Sequence, residues 1–392
     1  MRQSAVAWER AAEVHDAAHG WLRAGAIDEP TARAIRERFP DPCVTPSVVW
    51  RVLTAGVVAA VILCTLAAFW SAVRSDQIHA ILLLLFAGAA LASADRLEGS
   101  PRFARRGVAG AAAFLGVGFF VAGFSLFLIE ILHVRRGDAI DALLIASALA
   151  WAAACLRWGS PLFAALSAVS VFVWLGQLPY GRVLWVVVGA ALAGMAARRL
   201  DEASWAPSHR RAAAVLVVAG IAAVYAAVNV YSFDMHLLEN LGGFAARRMA
   251  ATRTLVLLAG LATAVVPLAV LAWGLRSRRT FLIDTGIVLL ALSFLTLRHY
   301  VHVAPLWVVL TLSGATLVGL ALAVDRALRR AREGEIAGFT AEPLFSDERR
   351  QHALQVLPVV GAFTPAAARP TAAQNDFTGG GKFGGGGASE NF

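Results

Sequence analysis

Ten stretches of about twenty residues, nearly free of charge, decide what this chain can fold into. One of them reads LTAGVVAAVILCTLAAFW, with Trp50 and Trp70 at its margins. At 1.5 Å per residue, about twenty helical residues reach about 30 Å, the thickness of a hydrocarbon core. Unpaired N–H and C=O groups are not tolerated in that solvent, so each stretch is expected to be helical. The spans read 52–73, 77–94, 107–132, 139–156, 161–178, 183–200, 211–232, 254–275, 280–297 and 304–324. Composition agrees: 58% of the residues are apolar and 16% charged, against about 45–50% and about 25% in soluble proteins. The expected fold class is all-α, a polytopic transmembrane helical bundle over 51–325. A small helical hairpin over 1–45 precedes it. A basic helix and a disordered glycine-rich tail over 326–392 follow it.

Arginine orients the bundle. With ten crossings and a cytoplasmic N-terminus, 27 basic residues fall on the inner side and 8 on the outer side. The loops DRLEGSPRFARR, RRLDEASWAPSHRR and RSRR all land inside, as the positive-inside rule asks. Both termini are therefore expected in the cytoplasm. Spans 161–178 and 183–200 are short and separated only by PYGR, so a re-entrant pair stays open as an alternative. Basic residues gathered in short loops are orientation signals, which excludes nucleic acid as a partner. The lipid bilayer is the expected environment, with other envelope membrane proteins as candidate partners.

The stretch WLRAGAIDEPTARAIRERF reads as the turn and second helix of the hairpin. Asp28 suits a helix cap with Glu29 and Pro30 in the first turn. Ile35 and Phe39 give the second helix an apolar stripe. So small a unit needs a partner surface, and Trp21, Ile27 and Ile35 are its candidate docking residues. In the tail, NDFTGGGKFGGGGASENF has no helical period, and Phe383 and Phe392 are its candidate anchors.

Ionisable groups inside a bilayer are costly and point to function. Glu130, Asp138 and Asp141 lie near the outer ends of spans three and four, where they suit a cation or proton site or simply reach water. Asp284 sits one turn into span nine, in reach of Arg278 or Arg279, and Asn229 lies near the outer end of span seven. Small residues recur instead, with Gly56 and Ala60 at the four-residue spacing of close helix packing. Pro267, deep in span eight, marks a possible kink or break. Cys43, Cys64 and Cys155 have no metal-ligand spacing. No phosphate loop, nucleophile elbow, zinc-protease or dinucleotide motif occurs. No catalytic residue, metal site or cofactor is assigned.

With WLRAGAIDEPTARAIRERF followed by an apolar span ending in Trp70, the first 75 or so residues resemble a family of uncharacterised bacterial multi-pass membrane proteins. That family is grouped by a predicted-membrane domain of unknown function, the one catalogued as 2157, with a relative catalogued as 4401. The resemblance implies a bacterial inner-membrane location and carries over no catalytic residue. Two functions are weighed. One is a non-catalytic scaffold or partner of envelope proteins, with a dry, tightly packed bundle. The other is a secondary transporter or permease for a small or lipid-like solute, with a cavity near mid-membrane lined by groups such as Asn229, Ser167 and Ser293.

Overall fold

The computed structural model describes residues 3–300, apart from 24–26, 42, 44–46, 102, 104–106, 179, 203 and 235–252, together with scattered positions from 311 to 340. Two short helices come first, α1 (Gln3–Arg23) and α2 (Glu29–Arg38). The long helices are α3 (Val48–Ser71), α4 (Asp76–Glu98), α5 (Val108–Leu126, prolonged by a π-helical turn Phe127–Ile131) and α6 (Arg136–Trp158). They continue as α7 (Pro161–Gln177), α8 (Gly181–Arg199), α9 (Pro207–Val228), the five-residue α10 (Val230–Asp234), α11 (Arg253–Ser277) and α12 (Thr280–Tyr300).

Seven described helices are long and apolar enough to cross a bilayer: α3, α4, α5 with its π turn, α6, α8, α9 and α11. α7 and the apolar part of α12 are shorter. Most of the expected span 304–324 lies outside the described residues, as does the expected tail with Phe383 and Phe392. Most of the expected basic helix also lies outside the described residues; near its end, Glu335–Ile336 pairs antiparallel with Phe339–Thr340. This ladder belongs to a separate compact unit, Ser47–Val49 with Ala321–Phe392.

Helix limits follow local chemistry. Pro161 and Pro207 open α7 and α9, where a missing N–H costs nothing. Gly159, at φ 65°, closes α6 by donating its N–H to Cys155 O at 2.6 Å. Consecutive helices pack as pairs, α4 with α5, α6 with α7, α8 with α9 and α11 with α12, and α9 also touches α1, α6, α7, α11 and α12. α3 is the exception. Only 6% of its most apolar stretch is buried, against 44% in α9, and Leu66 is its one buried residue.

The ends of α4, α6 and α8 and the starts of α3, α5, α7 and α9 share one face of the bundle, because Arg51, Glu98, Gly107, Trp158, Ser160, Leu200 and Pro207 line a common chamber there. At the far end, Arg182 on the first turn of α8 meets Ala227 and Ser232, where α9 finishes. α7 and α8 thus run out and back along α9.

α9 breaks at Asn229, and α11 carries Pro267 in its middle; one set of side chains repairs both. Proline cannot donate to the carbonyl four residues back, which here is Thr263 O. Ser293 of α12 donates to that carbonyl at 2.5 Å and pairs with Tyr225 Oη at 2.9 Å. Thr263 Oγ1 accepts the N–H of Val230, the first after the break, at 3.1 Å. Asn229 Oδ1 caps α10 by accepting Tyr231 N at 2.9 Å, and its Nδ2 donates to Thr296. α11 continues through Pro267, so the break falls on α9 instead.

Candidate functional site

The chamber at the shared face is the candidate site, with a volume of about 950 Å³. The last turn of α4 supplies Asp95 and Glu98, and the last turn of α6 supplies Arg157 and Trp158. Arg157 Nη2 is held by Asp95, and its Nη1 stands 3.8 Å from Glu98 Oε2. Phe163, 2% exposed, closes the floor edge-on to Trp158, with ring centroids 6.2 Å apart.

α1 forms the opposite wall. Glu9 and Glu13 lie one turn apart on one helix face, and both reach the start of α9. Glu9 Oε2 accepts the N–H of Ser208 at 3.2 Å, a carboxylate placed at a helix N-terminus where the dipole favours it. Glu13 takes both its bonds from Arg210 Nη2, at 2.7 and 2.9 Å. Arg10 donates to Ser204 O at 3.0 Å. α1 also holds α2: His15 Nε2 lies 2.7 Å from Phe39 O, which only accepts, so that nitrogen carries the proton.

Among the described residues, four buried side-chain atoms make no hydrogen bond: Glu98 Oε2, Asp141 Oδ1, Trp158 Nε1 and Arg210 Nε. Leaving such a group unsatisfied costs about 1–3 kcal/mol. Three of the four belong to residues lining this chamber. Glu98 is only 7% exposed.

The ionisable residues singled out in the sequence sit on the π turn of α5, the start of α6 and the start of α12. Glu130 is half-buried on the π turn of α5, where its backbone carbonyl accepts from Gln77 Nε2 at 3.2 Å. Asp138 is exposed in the first turn of α6, and Asp141, half-buried, follows one turn later. Asp284 is exposed near the start of α12, on the chamber face. Of the two expected partners of Asp284, Arg279 donates to Asp201 at 2.6 Å, tying α12 to the end of α8. Asn229 is buried and belongs to the repair network. Glu130, Asp138 and Asp141 thus fall at the junction of α5 and α6, and Asp284 at the other end of the bundle. Among the described residues, no group of three or more His, Cys, Asp or Glu side chains is placed to hold a metal ion.

Of the candidate docking residues, Trp21 is 52% exposed, whereas Ile27 and Ile35 are half-buried. Phe39 is 45% exposed, and the residue α2 buries is Ala32. Sequence reading missed Glu98, Trp158 and Arg210 as a group, since they meet only through the ends of three helices. It also missed Arg182, counted there as one loop cation. Arg182 is 6% exposed and donates to Ala227 O, Ser232 Oγ and Ser232 O at 3.1, 2.9 and 2.6 Å, at the C-terminal end of α9 where a cation is favoured.

No family model matches the chain, and neither a curated protein nor a solved structure matches it.

Proposed function

We propose that this is a non-catalytic integral protein of a bacterial inner membrane that serves as a scaffold for other envelope proteins. In this reading it crosses the bilayer about ten times with both termini in the cytoplasm. α1 and α2 form the docking hairpin. The distribution of arginine supports the orientation, and the resemblance of the first 75 or so residues supports the bacterial location. One observation carries the docking role: Trp21 and Phe39 stay 52% and 45% exposed on a pair of helices bonded to the polar end of the bundle. Large exposed aromatics on a held element favour an interface.

Photoreactive residues placed at Trp21 and Ile35 in living cells test the reading. The expected product is one discrete adduct with an envelope protein, formed from both positions and lost on deletion of residues 1–45. Adducts with lipid alone, or within the same chain alone, would overturn it.

A second reading, a transporter for a small or lipid-like solute, is favoured by the chamber. Against it, the polar side chains expected to line a mid-membrane cavity are bonded to neighbours: Ser167 to Ala148 O, Ser293 to Thr263 O and Asn229 to Thr296. Solute flux in proteoliposomes decides between the two.

A further inference from the structure

The geometry points to a pH-sensitive clasp, made by Trp70 and His79, that fastens the end of α3 to α4 when the imidazole is protonated and releases it when the proton leaves. The clasp sits at the start of α4, the end of the bundle opposite the chamber. It is independent of the docking role.

α3 has little else to hold it. Only 6% of its most apolar stretch is buried, against 22–44% in the other long spans. Near its start the backbone passes Gly107, where a Cβ would lie 3.1 Å from Arg51 O. Towards its end Leu66 packs with Leu83 and Ala87 of α4 and Phe119 of α5, and Phe69 meets Phe86 edge-on with ring centroids 5.9 Å apart. One turn beyond Leu66, the Trp70 indole lies flat on the His79 ring, 3.8 Å between centroids and 2° between planes. A helix that buries so little apolar surface is poised between held and free, so a single polar contact can decide its state.

His79 is 6% exposed, and both of its nitrogens face atoms that only accept. Nε2 lies 3.3 Å from Trp70 O, on α3, and Nδ1 lies 3.4 Å from Asp76 Oδ1, on α4. A neutral imidazole carries one proton and serves one of them; an imidazolium donates to both. The charged ring alone therefore bridges the two helices and satisfies its own helix as well. It is also a cation against an indole face, which attracts it. The charged groups on the surrounding elements are Asp76 on α4 itself, Arg74 in the α3–α4 turn, and Glu130 on the π turn that packs on α4 and accepts from Gln77 through its carbonyl. α5 from Val108 to Leu126 carries none. Two carboxylates against one guanidinium favour the cation. The sign follows: acid closes the clasp, and loss of the proton removes one arm of the bridge together with the cation–π attraction.

The test is a distance measurement by electron spin resonance on the full chain in nanodiscs. Labels are carried by a keto amino acid at positions 67 and 81, both exposed, which leaves the native cysteines untouched. One narrow distance is expected at about pH 5.5, and a distribution at least about twofold broader at about pH 8, the two sides of the range in which histidine changes charge. His79→Phe keeps a ring on Trp70 and removes both nitrogens, so its two distributions should coincide. Asp76→Asn, at an exposed side chain, should shrink the pH response at least about twofold, and it serves as the readout if His79→Phe does not fold. A label pair at positions 187 and 222, on α8 and α9, should be unchanged between the two pH values. Identical wild-type distributions at both pH values, broadening in acid instead, a full response in either variant, or an equal change in the α8–α9 pair overturns the proposal.

Discussion

Gly220 is where two helices touch backbone to backbone. A Cβ added there would lie 2.5 Å from Gly189 O and 2.9 Å from Ala193 N, so the close approach of α8 and α9 requires its absence. Gly220→Val is expected to cost about 1–3 kcal/mol through overpacking, read as a lower midpoint of thermal unfolding in detergent. Gly194→Val, which meets open space, should leave the midpoint nearly unchanged. Ser293→Ala should cost about 1–2 kcal/mol, because it strips the donor from the carbonyl that Pro267 leaves free. Pro267→Ala restores an N–H to that carbonyl, so the loss should shrink in the double variant, measured as a thermodynamic cycle. At this scale the sequence is legible by type and not by partner. Gly56 and Ala60 have the recognised spacing, yet a Cβ at Gly56 would touch nothing, whereas Gly189, outside that spacing, meets Gly220. Spacing along one helix says that a face is small; it does not say which helix comes to it. Asn229 and Ser293 were recognisable as polar groups in lipid, but their engagement with Thr296 and Thr263 depends on residues tens of positions away.

Among the elements, α2 is the one most fully written in its own residues. Asp28 caps it as expected, accepting Thr31 N at 3.0 Å, and Pro30 lies in its first turn. Bonds from Thr31, side chain first and backbone second, hold the Asp28 carboxyl below its ordinary value of 3.8. A depressed carboxyl stabilises the fold in its charged form. The contribution is complete above the ordinary value and is lost as acid drives pH down through the lowered one. Exchange protection of the Thr31 amide is therefore expected to fall only as pH drops below the ordinary carboxyl value of 3.8, and Asp28→Asn should remove that dependence. α1 was harder to read. Its Glu9–Glu13 pair is visible as one acidic face, a pattern that ordinarily means solvent, and only the fold brings Ser208 and Arg210 to it. α8 looked doubtful for its length; Arg182 and Leu200 fix its two ends against the full run of α9.

For the whole molecule, the alternation of helices gives two faces that chemistry can separate. Ser204, beside α1, and Tyr180, between α7 and α8, are exposed at opposite ends. Cysteines placed at each should react with an impermeant maleimide from opposite sides of sealed membranes, and the arginine distribution puts position 204 inside. Labelling of both from one side would exclude the through-going path of α8. The all-helical, membrane-type architecture was legible because apolar length and charge placement are properties of single segments. The chamber was not, because Glu98 and Trp158 close two helices and Arg210 lies in the first turn of a third.

The pairing of each long helix with its sequence neighbour bears on how the protein is made. α4 with α5, α6 with α7, α8 with α9 and α11 with α12 each form their contacts as soon as both members leave the ribosome. Insertion two by two leaves little waiting to be done by distant parts of the polypeptide. α9 is the exception, since the gap at Asn229 stays open until Thr263 and Ser293 have been synthesised. A nascent chain halted before residue 263 would carry that wound into the lipid, and there quality-control proteases would find it first.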